Sequence, residues 1–162
     1  VLPAGSAQAS NNIFNIGFGV TVADMGRMVD AFKAMGFEPV LGEWTAGPAQ
    51  ARLAGVAAST RIRRATAPVP GTSFEVTMTE FEGLDRNRFQ SRVRDPGTSM
   101  LRLRVRDMES ILARVAAAGL SVASKDGRPV TVMGANGGQR IAIANGPDNL
   151  KIQFVQAIPK PN

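Results

Sequence analysis

Hydrophobic positions follow the same pattern in two segments of the chain, residues 17–36 and 100–119. In each segment alternating apolar residues predict a strand, and apolar residues at helical spacing then predict a helix. The motif V-x-D-M joins the two elements, with its aspartate at Asp24 in the first segment and at Asp107 in the second. A glycine follows each aspartate by twelve residues, and every matching position is offset by 83. The predicted strand, the capping aspartate, the helix and the terminating glycine all occur at the same offset, which predicts an internal repeat.

Each predicted helix begins after its aspartate, because an N-cap carboxylate accepts free amide hydrogens of the first turn. Gly36 and Gly119 predict the helix ends. The methionines at helical spacing are interpreted as core residues rather than as a ligand groove. Three further strands are predicted in each half, at residues 37–41, 56–63 and 73–82 and at residues 121–124, 139–144 and 150–156. Each half is therefore predicted to be a βαβββ module, which makes the fold class α+β.

Turn-rich and polar stretches divide the chain into five predicted parts. These are an N-terminal arm at 1–12, a first module at 13–83, a linker at 84–98, a second module at 99–157 and a tail at 158–162. The arm has the A-x-A spacing of a signal-peptide cleavage site at Ala7 and Ala9, so it is either a signal-peptide remnant or a trimmed flexible arm. Export to the periplasm and a cytoplasmic location both stay open.

The composition excludes several chemistries. The chain has no cysteine, histidine or tyrosine, which excludes disulfides, thiol nucleophiles, histidine bases and a phenolic acid. Acid–base chemistry is left to Asp, Glu, Lys, solvent or the ligand. No apolar run reaches the roughly 18 residues of a membrane span.

Positive charge is concentrated in arginine. The chain has 19 Lys and Arg against 13 Asp and Glu, and fifteen of the 19 are Arg. Ten of these lie between Arg61 and Arg106. Clustered arginine favours recognition of carboxylate or phosphate. Nucleic acid is not the expected partner, because the chain has one Trp, no Tyr and no recognition-helix or zinc pattern.

The repeated strand, V-x-D, helix and glycine, followed by three strands, resembles the vicinal oxygen chelate superfamily. That group includes glyoxalase I, extradiol dioxygenases, and the fosfomycin and bleomycin resistance proteins. Residues 146–153, Gly-Pro-Asp-Asn-Leu-Lys-Ile-Gln, resemble the family's D-P-D-G-N-x-x-E segment. The resemblance covers residues 13–156 and implies a cupped mixed sheet with helices outside, and a homodimer. It specifies a fold, not an activity.

The resemblance also implies where a metal would bind. Its ligand positions fall on Gly17, Glu75, Met100 and Gln153. Of these, Glu75 alone retains a usual ligand type, and the set does not suit a hard divalent ion. We therefore expect no catalytic metal and no cofactor.

Strand alternation within the implied cup selects the candidate site residues. The candidate ligand-binding residues are Arg102, Arg104, Met100, Gln153, Thr77, Gly17 and Thr21, and the candidate catalytic residue is Glu75. The same alternation places Lys151 and Val155 on the concave side. In the alternative interpretation, Arg102 and Arg104 pair with Glu75, Glu80 or Glu82 and bind nothing.

Three functions stay open. The first is a metal-free binding protein of the bleomycin-resistance type for a small anionic or carbonyl-containing molecule, aromatic or amphiphilic in character. The arginines argue against bleomycin itself, which is cationic. The second is a metal-independent lyase or isomerase, in which Arg102 and Arg104 polarise a carbonyl and Glu75 carries a proton. The third is a metal-dependent glyoxalase- or dioxygenase-type enzyme, should the ligand mapping be wrong.

Two further features have structural interpretations. Arg61, Arg63 and Arg64 are interpreted as a solvated edge strand. Trp44 is interpreted as a satellite core residue, with a lid or a dimer contact as alternatives.

Overall fold

The computed structural model describes residues 17–84, 91–96, 98–134 and 137–159. The predicted N-terminal arm with its Ala7 and Ala9 lies outside these residues. In the first module the elements are β1 (Gly17–Val22), α1 (Met25–Ala34), β2 (Val40–Leu41), β3 (Thr45–Ala46), α2 (Pro48–Ala54), β4 (Arg61–Pro68) and β5 (Glu75–Phe81). In the second they are β6 (Met100–Arg104), α3 (Met108–Ala117), β7 (Ser121–Val122), β8 (Val130–Gly134), β9 (Gly137–Asn145) and β10 (Lys151–Ile158), with 3-10 turns at Lys125–Gly127 and Pro147–Asn149.

Each module forms its own mixed sheet of five strands. The first has the order β1-β5-β4-β2 and the second the order β6-β10-β9-β7. In both sheets the first strand of the module is parallel to the last, and the remaining pairs are antiparallel. The predicted α+β fold of two tandem βαβββ modules is therefore confirmed. No helix in the described ranges has the length and apolar character needed to cross a bilayer.

Each module also contains short elements that the sequence pattern did not predict. In the first, β3 pairs with β4, and α2 begins with Pro48 in its first turn and ends at Gly55, whose φ of 68° is left-handed. In the second, β8 pairs with β9 as a hairpin with Gly134 opposite Gly137. β3 extends the edge that β2 forms along β4, and β8 extends the edge that β7 forms along β9. The βαβββ repeat is unchanged.

The helix boundaries of the repeat are confirmed. The side chains of Asp24 and Asp107 accept the amide hydrogens of Arg27 and Ser110, each at 3.0 Å. The chain then leaves each helix through a glycine with positive φ, as an L side chain rarely allows. Identical caps give α1 and α3 the same length of ten residues.

One hydrophobic core joins the two modules. It lies between the sheets and the helices, and its fully buried side chains include Met25 and Phe32 of α1, Met108 of α3 and Phe154 of β10. The interpretation of the methionines at helical spacing as core residues is therefore confirmed. Because the helices cover one face of each sheet, side chains of alternate parity point to the opposite face.

Candidate ligand-binding site

The face of each sheet opposite α1 and α3 is called its helix-free face. In β10, Ile152 and Phe154 belong to the core, so Lys151, Gln153 and Val155 lie on the helix-free face. By the same parity, this face of the second sheet includes Met100, Arg102 and Arg104, and that of the first includes Gly17, Gly19, Thr21, Glu75, Thr77 and Thr79. Every predicted site residue therefore lies on a helix-free face.

On the helix-free face of the second sheet, two arginines have no carboxylate partner among the residues that the structure describes. Arg102 is exposed, and its Nε donates to Oε1 of Gln153 at 2.5 Å. Gln153 is buried, with 9% of its surface exposed. Arg104 is exposed and makes no side-chain hydrogen bond or ion pair within the described residues. Of the predicted site residues, this places Arg102 and Gln153 in direct contact through their side chains.

The alternative pairing of these arginines with glutamates is wrong. Glu80 lies on the helix side, where it pairs with Arg63 at 2.6 Å and accepts the backbone N–H of Met25 at 3.3 Å. Glu82 pairs with Arg61, and that hydrogen bond holds the pKa of the Glu82 carboxyl below its ordinary value. Glu75 is half-buried and has no ion pair within the described part of the chain.

The first arginine run is likewise structural. β4 lies inside its sheet, between β5 and the β2–β3 edge, so its interpretation as an edge strand is wrong. Arg61 and Arg63 place their guanidinium groups over Trp44, at 5.7 and 4.7 Å from the ring centroid. Their neighbour Arg64 lies on the other face of the strand and is exposed. This local packing explains why Trp44 is half-buried outside the main core.

Lys151 lies on the same helix-free face as Gln153, although the sequence analysis did not select it as a candidate ligand-binding residue. Its side chain is 5% exposed, and its Nζ donates to Oδ1 of Asn145 at 2.7 Å and to Oδ1 of Asn149. The described residues give it two amide oxygens and no carboxylate. Buried lysines are rare unless paired with an acid. Its position in the alternation of β10 could have identified it, but the neutral partners depend on the turn before β10, which the alternation does not describe.

Strand register shows which positions of the two modules correspond. Gly17 pairs with Glu75 in the first sheet, and Met100, its repeat partner, pairs with Lys151 in the second. Lys151 therefore occupies the position of Glu75. Gln153, paired with Arg102, corresponds instead to Thr77, which is paired with Gly19.

The residues at the ligand positions that the resemblance implies do not fit a divalent cation. Gly17 has no side chain to ligate a metal, Met100 offers a thioether, and the oxygen of Gln153 already accepts from Arg102. Lys151 lies opposite Met100, so the second sheet contributes positive charge where a cation would need oxygen ligands. Across the described ranges, no three Asp or Glu side chains come close enough to hold a metal ion.

A cavity of about 230 Å³ lies where the two modules meet. Thr21 of β1, Ser91 of the linker, Ser99 just before β6, and the turn residues Asp148 and Asn149 contribute to its lining. Asp148 and Asn149 have φ values of 53° and 62°, in the left-handed region that Asp and Asn tolerate better than most residues.

That turn fastens the modules together. Asp148 accepts the N–H of Ala23 at 2.7 Å. The amide nitrogen of Asn149 donates to the carbonyl oxygen of Ser91 at 3.0 Å, while its oxygen accepts from Lys151. The turn therefore connects the start of α1, the linker and the buried lysine of β10.

Comparisons with known proteins rest on structure. No protein-family model matches the chain, and no curated protein matches it in sequence. A glyoxalase family protein from Bacillus cereus is similar with a TM-score of 0.74 at 15% identity, over 93% of this chain and 98% of that one. A glyoxylase/bleomycin resistance protein/dioxygenase domain from Frankia sp. EAN1pec has a TM-score of 0.56 at 16% identity, over 92% and 99%.

A virulence protein from Salmonella typhimurium is also similar, with a TM-score of 0.54 at 17% identity, over 90% of this chain and 98% of that one. At such identities the likeness concerns the fold. The repeat, the strand order and these structures agree: the chain has the fold of the vicinal oxygen chelate superfamily.

Proposed function

We propose that this protein binds a small organic anion on the helix-free face of its second sheet, without a catalytic metal. The observation that carries this proposal is the charge of that face. Arg102, Arg104 and Lys151 lie on two paired strands, and within the described residues none of them meets a carboxylate. Cations that the protein itself leaves uncompensated attract an external anion.

The shape of the face supports the same proposal. On its central strand Lys151, Gln153 and Val155 are 5%, 9% and 8% exposed, whereas Arg102 and Arg104 on the edge strand are exposed. Such burial in the middle and exposure at the rim is typical of a concave surface. An anion that enters it loses solvent on one side and gains the forked donors of arginine, which match the geometry of a carboxylate.

A second candidate function has one observation in its favour. Glu75 is half-buried on the helix-free face of the first sheet and makes no ion pair within the described residues. A carboxylate without a permanent arginine partner is available to accept and return a proton. The lyase or isomerase interpretation therefore remains as the alternative, with the arginines polarising a carbonyl. The homodimer that the resemblance implies stays a prediction.

Calorimetric titration with benzoate, phenylpyruvate and octanoate tests the proposal, with the neutral amide of each compound for comparison. We expect carboxylates to bind and amides to bind at least tenfold more weakly, since hydrogen bonds to charged groups contribute about 1.5–3 kcal/mol. Arg104→Ala should weaken carboxylate binding by a similar factor. Arg52→Ala is the matched control, because Arg52 is exposed in the last turn of α2 and belongs to no strand of either sheet.

Two results would contradict the proposal. One is equal binding of carboxylates by the wild type and the Arg104→Ala variant. The other is stoichiometric divalent metal in the purified protein, with loss of binding on chelation. Turnover of a bound carbonyl compound that disappears in Glu75→Gln, while binding persists, would select the lyase or isomerase alternative.

A further inference from the structure

The helix-free face of the second sheet has an apolar row beside its cations. Strand register aligns Arg104 of β6 with Val155 of β10, Val155 with Ile141 of β9, and Ile141 with Val130 of β8. One line across four strands therefore begins at a guanidinium group and continues through three aliphatic side chains. We infer that the ligand is an amphiphilic carboxylate, with its head at Arg104 and its apolar tail along this row. The inference rests on the proposed function.

The two ends of the row differ in exposure. Val155 is 8% exposed and Ile141 is half-buried, but Val130 is 54% exposed at the edge of the sheet. Val132, two residues further on the same side of β8, is 52% exposed. Large aliphatic side chains at these positions gain little from the protein itself, whereas a ligand tail laid over them removes apolar surface from water.

The neighbouring rows show that this combination is local. The adjacent row, through Arg102, Gln153 and Ile143, has an amide between its arginine and its aliphatic residue. The row beyond it, through Met100, Lys151, Asn145 and Ser121, is polar after its first residue. The helix-free face of the first sheet has threonines at the centre, with Thr21, Thr79 and Arg64 in one row. Only a ligand with one charged end and one apolar end matches the row that starts at Arg104.

Geometry limits the length of the tail. Paired strands lie about 4.8 Å apart, so three steps from β6 to β8 span about 14 Å. The contact between carboxylate and guanidinium takes up about 3 Å of that distance, and an extended alkyl chain of about ten carbons covers the rest. A longer chain would pass the edge of the sheet at Val130 and gain no further contact.

A series of linear alkanoates from butanoate to tetradecanoate, titrated calorimetrically below their aggregation concentrations, tests the inference. A fully buried methylene is worth about fourfold in affinity, and one lying on an open face about twofold. We expect the affinity to rise about twofold per methylene and to level off near decanoate. The double variant Val130→Thr/Val132→Thr should weaken decanoate about fivefold and leave butanoate unchanged.

Val40→Thr is the matched control. Val40 is 68% exposed at the edge of the first sheet and lies on its helix-free face, opposite Thr66. Its replacement should change no affinity. Both substitutions keep a β-branched side chain, so the strands retain their propensity.

The outcomes separate the inference from the proposed function. Arg104-dependent binding of butanoate with no gain from chain length would overturn the inference and leave the proposed function standing. Absence of Arg104-dependent binding across the series would overturn both. A gain from chain length that persists in the double variant would place the tail elsewhere. Loss of a dimer in the double variant, measured by sedimentation, would assign the row to a second copy of the chain and overturn the inference.

Discussion

The two modules share their helix-side residues and differ on their helix-free faces. On the helix side Val22, Asp24 and Met25 match Val105, Asp107 and Met108, and both aspartates cap a ten-residue helix. On the helix-free side the first strands present Gly17, Gly19 and Thr21 against Met100, Arg102 and Arg104, and the last strands present Glu75, Thr77 and Thr79 against Lys151, Gln153 and Val155.

Packing explains the shared side. A residue under a helix must fill a volume and avoid unpaired polar groups, so the same solution serves both modules. The helix-free positions meet no such requirement and are available for ligand chemistry. The largest contrast is at one register position, where Glu75 in the first sheet corresponds to Lys151 in the second. The first face has glycines and threonines with one carboxylate, Glu75, and one exposed arginine, Arg64, and the second has three cations and an aliphatic row.

Reversing the charge at Lys151 should change the free energy of unfolding more than any other substitution considered for these two modules. Lys151→Glu places a buried carboxylate beside Oδ1 of Asn145 and Oδ1 of Asn149, whose amide nitrogens already donate to Ser121 and Ser91. We expect the free energy of unfolding to fall by about 3 kcal/mol or more. Glu75→Lys, at a half-buried position without an ion pair within the described residues, should lower it by less than about 1 kcal/mol.

Urea denaturation followed by circular dichroism measures both changes. Lys151→Gln is the control for loss of the ammonium without added negative charge. Equal effects of the two exchanges would show that the corresponding positions of the two modules have the same environment, and would contradict the contrast between the two faces.

The helix caps should respond alike in the two modules. Asp24→Ala and Asp107→Ala each remove one hydrogen bond of 3.0 Å to the first turn, and each should lower the free energy of unfolding by about 1 kcal/mol. Asp30→Ala, at an exposed position inside α1, is the control and should cause no loss, since alanine is the better helix former. Urea denaturation measures these losses. A large difference between the two cap variants would mean that the two aspartates stabilise their helices unequally, although their hydrogen bonds are alike.

Acid should weaken the surface ion pair of each module by a small amount. Arg61 holds the pKa of Glu82 below its ordinary value of 4.5, and Arg140 does the same for Glu109. A carboxyl with a lowered folded-state pKa stabilises the fold above its ordinary pKa and loses that contribution as the pH falls through the lowered value. The difference in midpoint temperature between wild type and Glu82→Gln, or Glu109→Gln, should therefore shrink below about pH 4.5.

Double-mutant cycles with Arg61→Gln and Arg140→Gln isolate each pair. The coupling between the partners should be present at pH 7, fall with added salt and vanish in acid. A coupling that is independent of pH would exclude the ion pairs as its source.

The sequence predicted the parts of the fold that repeat, because cap, apolar period and glycine stop act locally. It missed α2, whose seven residues have no apolar period, although Pro48 and Gly55 mark its ends. Because α2 was missed, the strand was predicted at 56–63, whereas β4 begins at Arg61 and ends at Pro68. The partners of the arginines could not be assigned from sequence either. Strand parity places Glu80 under α1. Its ion pair with Arg63 depends on the register of β4 and β5, which the sequence does not specify.

The turn at Pro147–Asn149 links the segment between the modules to Lys151 on the second sheet. A single side-chain amide, that of Asn149, holds Ser91 with its nitrogen and Lys151 with its oxygen. A displacement of Ser91 that takes Asn149 with it removes one of the two acceptors of the Lys151 ammonium. The hydrogen bonding of the Lys151 ammonium is therefore coupled to the position of the segment between the modules.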